Sequence, residues 1–218
     1  MPPSISSSWL SSLAGRFVVF DGPDGGGKTT QFYRFAGHVR AAGLSVCEVR
    51  EPGGTAIGEQ IRQVLLDPAN TRMDLCCEML LYMASRAQLT AQCIEPALAD
   101  GQLVLADRFI SSTLAYQGTA GGISTADILH MGRMILRQCW PDLVVIFDVD
   151  EQTAVGRLNP LLDRIELKGE AYHRTVRQGY IEQAGADPDR HLLVDATADP
   201  DVVFNRLLAG MKERVLAL

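Results

Sequence analysis

The sequence predicts an α/β fold, with a mainly parallel sheet of five strands flanked by helices. Three observations carry this expectation. Short β-branched and aromatic runs alternate with helical patterns along the chain, the order that produces βαβ units. Two of those runs, residues 103–106 and 143–147, are apolar at every position, as suits strands covered on both faces of a parallel sheet. A glycine-dense turn over residues 22–29 joins the first strand to the first helix.

The first strand is Phe17-Val18-Val19-Phe20-Asp21. A helix follows over residues 28–42, and Gly43 ends it. Residues 44–49 form a second strand. Arg50-Glu51-Pro52-Gly53-Gly54-Thr55 packs proline and two glycines together and is a loop. Residues 56–66 place Ile57, Ile61, Val64 and Leu65 at helical spacing, and Pro68-Ala69-Asn70 breaks them off. A long helical pattern covers residues 74–99 through Leu75, Met79, Leu80, Tyr82, Met83 and Leu89. Pro96 is expected to kink or restart it. The third strand, residues 103–106, ends at Asp107-Arg108, with a loop and a short helix through Gly118. Ser124-Thr125-Ala126-Asp127 fits a capping box and opens a helix to about Arg137. The fourth strand, residues 143–147, precedes a helix over 151–158 that Asn159-Pro160 stops. A connector over 159–168 contains Asp163-Arg164-Ile165-Glu166. Residues 169–184 form a polar amphipathic helix, residues 191–194 the last strand, and Asp199-Pro200 starts a final helix to about Leu216. No repeat or long linker divides the chain, so residues 16–218 are read as one domain. Residues 1–15, rich in serine, are expected to be a disordered tail.

Composition narrows the classes of function. The 218 residues carry a net charge of −6 and a pI near 5.2, which counts against a general nucleic-acid binder. Anionic small molecules stay open, provided positive charge is gathered locally. Cys47, Cys76, Cys77, Cys93 and Cys139 are odd in number and include no C-x-x-C. They read as thiols of a reducing compartment, which points to the cytoplasm. No apolar run approaches the roughly 18 residues of a membrane span.

The turn itself carries chemistry. Gly22-Pro23-Asp24-Gly25-Gly26-Gly27-Lys28-Thr29 fits G-x-x-x-x-G-K-[ST], and Thr30 follows. Glycines let the backbone wrap so that its N–H groups point at a phosphate chain, and the next helix adds its partial positive charge. Lys28 can reach the β- and γ-phosphates, and the Thr29 hydroxyl can ligate Mg²⁺. The implied ligand is a nucleoside triphosphate such as ATP. Ligands of parallel sheets bind at the carboxyl ends of strands, so residues 21–30, 50–55 and 107–108 are expected to converge on one cleft. Asp107 is then a second Mg²⁺ contact, or simply an aspartate that ends a strand. Arg50, Arg86 and Arg108 together can clamp a second, acceptor phosphate. Singly, each reads as a solvated charge. Tyr82 and Tyr116, on sequence pattern alone, read as packing residues.

The set formed by Arg50–Thr55, by Asp107-Arg108 with Tyr116-Gln117-Gly118, and by Asp163-Arg164-Ile165-Glu166, all behind the phosphate loop, resembles the thymidylate kinase family. The resemblance covers residues 16–216. It implies a P-loop NTPase fold of three α/β/α layers, with phosphoryl transfer from MgATP to dTMP. It also implies a common homodimer, for which the Met- and Leu-rich faces of 74–89 and 128–136 are candidates. Family roles transfer by position. Asp24 would hold the deoxyribose 3′-OH, Tyr82 would stack on thymine, and Arg86 would sit at the base and acceptor phosphate. Arg108 would bind the acceptor phosphate and Thr113 would face the base edge. Tyr116 would crowd a 2′-OH, with Gln117 a weaker neighbour and Glu51 beside Arg50 in the same loop. Arg157 would stack on adenine, with Asp195-Ala196-Thr197 as the adenine-pocket loop. A lid over about 157–168 would close to exclude water.

One departure stands out. Relatives place an arginine just after the loop acid, where this chain has Gly25, or put several in the lid. Here Leu158-Asn159-Pro160-Leu161-Leu162 is uncharged. Arg164 is therefore the expected γ-phosphate residue, completing a catalytic set with Lys28 and Arg108. A local pair with Asp163 or Glu166 is the alternative. None of His38, His130, His173 and His191 lies in a motif, and all four are read as structural. Two other classes stay open: another P-loop nucleotide or nucleoside kinase, and a degenerate nucleotide-binding switch. The absence of an N-K-x-D signature and the extra arginines count against a switch.

Overall fold

A computed structural model describes residues 7–157 and 163–216. Five parallel strands build one sheet in the order β2-β3-β1-β4-β5. They are β1 (Phe17–Asp21), β2 (Val46–Arg50), β3 (Leu103–Asp107), β4 (Leu143–Asp148) and β5 (His191–Asp195). Helices cover both faces. In chain order they are α1 (Lys28–Ala41), α2 (Ala56–Leu66), α3 (Leu75–Leu89), α4 (Glu95–Ala99), α5 (Ile110–Thr113), α6 (Thr125–Leu136), α7 (Glu151–Val155), α8 (Glu170–Ala186) and α9 (Pro200–Val215). This is the expected three-layer α/β/α arrangement.

Alternation along β1 shows how the layers form. Phe17 and Val19 face a core shared with α3, α6 and α8, while Val18 and Phe20 face α1 and α9. Successive side chains of a strand point to opposite faces, so an all-apolar strand must be covered twice. The strand order reverses at β1, with β3 on one side and β4 on the other. The loop after β1 therefore opens into the crevice between diverging helices, where such sheets bind ligands.

Most predicted elements stand within a residue or two. The strand placed at 44–49 is Val46–Arg50, beginning two residues later and ending one later. The helix over 74–99 is interrupted by a wide π turn, Thr90–Ile94, and restarts as α4 with Pro96 in its first turn. A second π turn, Leu114–Thr119, follows α5. The capping box at 124–127 does not form: Ser124 is the N-cap of α6 but makes no side-chain capping bond. The centre of the expected lid, residues 158–162, lies outside the described residues.

The N-terminal expectation needs correction. Ser7–Leu13 is a 3₁₀ helix rather than a disordered tail. Its Trp9, Leu10 and Leu13 are buried in the core beneath α1 and α9. Serine content suggested disorder, but three large apolar side chains at turn spacing bury enough surface to fix a short segment. Leu10→Ala is expected to lower unfolding stability by about 2–5 kcal/mol. Urea unfolding checks this, and a loss under about 0.5 kcal/mol would show that the segment adds nothing to the core.

Candidate active site

The phosphate loop is shaped by close approach as much as by freedom. Gly22 has φ 133°, and a Cβ there would lie 2.6 Å from the Phe147 carbonyl oxygen. Gly27, at φ 72°, turns the chain into α1. Lys28 is then the first residue of α1, largely buried, and its Nζ donates to the Pro23 carbonyl at 2.6 Å. Burial, reinforced by repulsion from Arg108, lowers the Lys28 pKa to about 8, with Asp24, Asp107 and Asp21 opposing. Next to it, the Thr29 hydroxyl donates to Asp107 Oδ2 at 3.4 Å. Strand pairing sets this contact, because Asp107 lies opposite Phe20 of β1 and Arg50 of β2.

Beside the loop opens a cleft of about 230 Å³. Its walls include Asp24, Glu51, Tyr82, Arg86, Thr113 and Tyr116. Arg86 is fully buried. Its Nε donates to Glu51 Oε2 at 2.7 Å and its Nη2 to the Thr113 hydroxyl at 3.1 Å, while the guanidinium lies 5.1 Å from the Phe109 ring centre. Burial pushes Glu51 up to about 7 despite the pull of Arg86. Glu51 Oε1 has no hydrogen-bond partner among the described residues. Tyr82 sits one turn before Arg86 on α3, and burial pushes its phenol pKa up.

Arg108 and Asp24 form the seam between this cleft and the phosphate loop. Arg108 adopts φ 69°, an unusual left-handed conformation for a side-chain-bearing residue. Its guanidinium pairs with Asp24, donates to the Gly22 carbonyl at 3.1 Å, and contacts Ser112 and Tyr180 at 3.1 and 3.2 Å. The Tyr116 hydroxyl donates to Asp24 Oδ2 at 2.7 Å, and its ring lies 5.4 Å beneath the Arg108 guanidinium carbon. Burial alone would raise Asp24, but Arg108, then Lys28 and the Tyr116 hydroxyl, hold it near 2. Asp24 is thus a fixed anion facing the second cleft from inside the first loop.

On the other side of the loop, a larger cleft of about 720 Å³ runs along α1 toward the loop after β5. Arg157 borders it and donates to the carbonyls of Ala196, Thr197 and Ala198 at 2.9, 3.3 and 3.4 Å. The expected adenine-side pair, Arg157 with Asp195-Ala196-Thr197, is therefore together. Asp195 itself turns to the Thr197 hydroxyl and Arg206.

Two expected residues are elsewhere. Arg164 borders neither cleft. It is buried against α2 and α3, where Nε donates to the Leu65 carbonyl at 2.7 Å and Nη1 pairs with Glu78 Oε2 at 2.7 Å. The neighbouring Asp163 and Glu166 close on each other's backbone instead. The reason is electrostatic: a buried carboxylate on α3 outcompetes solvent for the guanidinium. Arg50 borders the larger cleft and pairs with Glu59 at 2.8 Å rather than with the acceptor cleft. Gln117 does line the acceptor cleft, with its amide bound to Glu78.

Several contributors escaped sequence reasoning. Asp21 is wholly buried and accepts from the Ser111, Ser112 and Tyr180 hydroxyls at 2.6–2.7 Å. Asp163 and Glu166 border the acceptor cleft. Only the serine pair Ser111-Ser112, three residues beyond Arg108, offered a local signal. Tyr180 is 159 residues from Asp21 in sequence.

A parallel sheet with a phosphate loop at its switch point, and an anion in that loop turned toward a second arginine-lined cleft, defines a P-loop nucleoside monophosphate kinase. Comparison with known proteins gives the particular family. The thymidylate kinase family model matches residues 20–207. Thymidylate kinase of Deinococcus radiodurans is 42% identical over 204 residues, covering 92% of this chain and 98% of that protein. Thymidylate kinase of a Geobacillus species is 37% identical over 207 residues, covering 93% and 99%. The crystal structure of thymidylate kinase from Ehrlichia chaffeensis superposes with a TM-score of 0.75 at 28% identity, covering 89% and 97%. The chain belongs to the thymidylate kinase family.

Glu51 gives a pH prediction. Its folded pKa of about 7 lies above the ordinary 4.5, so the folded state binds the proton more tightly than the unfolded chain does. The stability this contributes is present in full below the unfolded pKa and is lost as pH rises through the folded one. Wild type is therefore expected to lose stability relative to Glu51→Gln between about pH 4.5 and 7, and to level off above. Denaturant unfolding of both proteins across that range measures it. A constant difference would place the Glu51 pKa in the ordinary range.

Proposed function

We propose that this chain binds ATP along the phosphate loop and dTMP in the smaller cleft, and transfers the γ-phosphoryl group to give dTDP and ADP. The observation that carries this reading is Asp24. It belongs to the phosphate loop, yet its partners are Arg108 and Tyr116 of the acceptor cleft. One loop therefore contacts both substrates and sets their separation.

A dTMP phosphate oxygen forms the new bond to the γ-phosphorus as the bond to the β,γ-bridging oxygen breaks. The electron pair leaves with ADP. The nucleophile is already an anion, so no general base is required. The barrier falls by in-line positioning and by neutralising charge on the moving group. Loop N–H groups, Lys28 and the start of α1 hold the donor phosphates. Arg108 holds the acceptor phosphate, and Arg86 with Thr113 faces the base. Tyr82 packs on the base, and Tyr116 stands where a ribose 2′-OH would be.

The Thr29 hydroxyl and the Asp107 carboxylate, 3.4 Å apart, are hard oxygen donors of the kind that hold Mg²⁺. Thr29 and Asp107 would hold that ion beside ATP, where it would offset phosphate charge. The five cysteines are free thiols, which suits a cytoplasmic enzyme. Leu80 and Met134 stand exposed on α3 and α6, which pack together. That shared face supports a homodimer. The lid over about 157–168 belongs to the same reading.

Arg108→Ala is expected to lower kcat/KM for dTMP by about 10²–10³-fold, the scale for removing one preorganised charge partner. The Kd for MgATP should change less than about threefold. Coupled ADP-release kinetics and nucleotide titration separate the two. Equal loss of ATP binding would show that the donor and acceptor roles are not divided as proposed.

A further inference from the structure

Outside the reacting groups, one buried carboxylate has no place in the mechanism above. Glu78 lies in the first turn of α3, one turn before Tyr82, and is 1% exposed. Four bonds reach it. Gln117 Nε2 donates to Oε1 at 2.8 Å. Lys168 Nζ lies 3.1 Å from both oxygens, and Arg164 Nη1 pairs with Oε2 at 2.7 Å. Two cations and an amide thus converge on one side chain, and the amide belongs to Gln117, which lines the acceptor cleft.

The chemistry of these partners fixes an orientation. An ionised carboxylate accepts hydrogen bonds and donates none. Burial would favour the neutral acid, but Gln117, Lys168 and Arg164 outweigh it and lower the Glu78 pKa. Gln117 must therefore present its NH₂ to Glu78. Its Oε1 is left as the polar group for the cleft that Gln117 lines. A carbonyl oxygen there accepts from a ring N–H and meets a ring nitrogen's lone pair with repulsion. Thymine carries an N–H at N3, and cytosine carries a lone pair.

We propose that Glu78 is a positioning residue for base specificity: its carboxylate, clamped by Arg164 and Lys168, holds the Gln117 amide so that the acceptor cleft demands an N–H donor. This deepens the dTMP reading and rests on it. Arg164 thereby gains a different role from the γ-phosphate contact first expected of it.

Glu78→Gln tests the inference, because a glutamine can donate and so frees the Gln117 amide to turn over. The expected result is a rise in KM for dTMP of about tenfold or more, with kcat within about threefold. The ratio of kcat/KM for dTMP over dCMP should fall at least about tenfold. Glu78→Asp keeps an acceptor-only group and is expected to hold that ratio within about threefold of wild type. A general loosening of the fold would lower both nucleotides alike, so an unchanged ratio in Glu78→Gln overturns the proposal. Wild type supplies a measure that does not depend on a variant folding. 3-Methyl-dTMP, which lacks the N–H, should bind at least about tenfold more weakly than dTMP. Equal binding overturns the proposal. If wild type fails to phosphorylate dTMP at all, the functional reading itself falls, which these ratios distinguish.

Discussion

The site depends on one buried carboxylate at the end of β1. Asp21 is completely buried. A lone carboxylate in such a place would cost several kcal/mol. Here three hydroxyls, the Gly22 N–H at 2.9 Å and the Arg108 guanidinium at 3.4 Å surround it. Those donors come from α5, α8, the residue after β3 and the phosphate loop itself. Asp21 thereby locks the phosphate loop, the Asp107-Arg108 corner and α8 into one geometry. Arg108 takes a left-handed backbone conformation that costs about 1–2 kcal/mol. Contacts to Asp21, Asp24, Gly22, Ser112 and Tyr180 offset it.

Given that frame, electrostatics divides the labour within the loop. Lys28 and Asp24 are four residues apart; Lys28 lines the larger cleft, and Asp24 stands where the two clefts meet. Asp24 stays anionic because Arg108 and Tyr116 stabilise its charge, and Lys28 lies close enough to add to the effect. Lys28 in turn is held near 8 by burial and by repulsion from Arg108. In the proposed complex, an incoming triphosphate would add negative charge around Lys28 and raise its pKa, keeping the lysine protonated. The buried pair Arg86–Glu51 works differently. Removing one member would strand a charge, at a cost of about 3–5 kcal/mol. Among the described residues its Glu51 Oε1 has no partner, the kind of imperfect satisfaction that concentrates at functional sites.

Whatever depended on local pattern was legible in the sequence. The strand–glycine–helix order located Lys28 and Thr29, and apolar runs located β3, β4 and the Asp107 that ends β3. Family resemblance placed Arg86, Thr113, Tyr116 and Asp24, all of which meet in one cleft. What depended on distant pairing was not legible. Tyr180 and Glu78 look like ordinary positions of an amphipathic helix, and their partners lie 159 and 39 residues away. The π turns at Thr90–Ile94 and Leu114–Thr119 carry no sequence signal, yet the second of them presents Tyr116 and Gln117. Trp9, Leu10 and Leu13 were hidden by the serines around them.

The missing basic residue after Asp24 has a structural cause. Gly25 sits at φ 75°, and a Cβ there would lie 2.5 Å from the Ala154 carbonyl oxygen and 2.8 Å from its Cα. In this packing of the loop against α7 no side chain fits at position 25, so an arginine at that point is excluded by backbone contact. Arg164, the expected substitute, is committed to Glu78. Among the described residues, the positive charge bordering the phosphate cleft is that of Lys28, Arg50, Arg62, Arg108 and Arg157. Arg50 is already paired with Glu59, Arg62 donates to the Pro52 carbonyl, and Arg157 holds the loop after β5. In the proposed transfer, the charge on the moving phosphoryl group would therefore fall chiefly on Lys28, on the loop N–H groups at the start of α1, and on Arg108 from the acceptor side. Asp21 accepts directly from the Gly22 N–H and from Arg108, so the acidic residue that ends β1 ties the start of the phosphate loop to the acceptor-side cation of the proposed transfer.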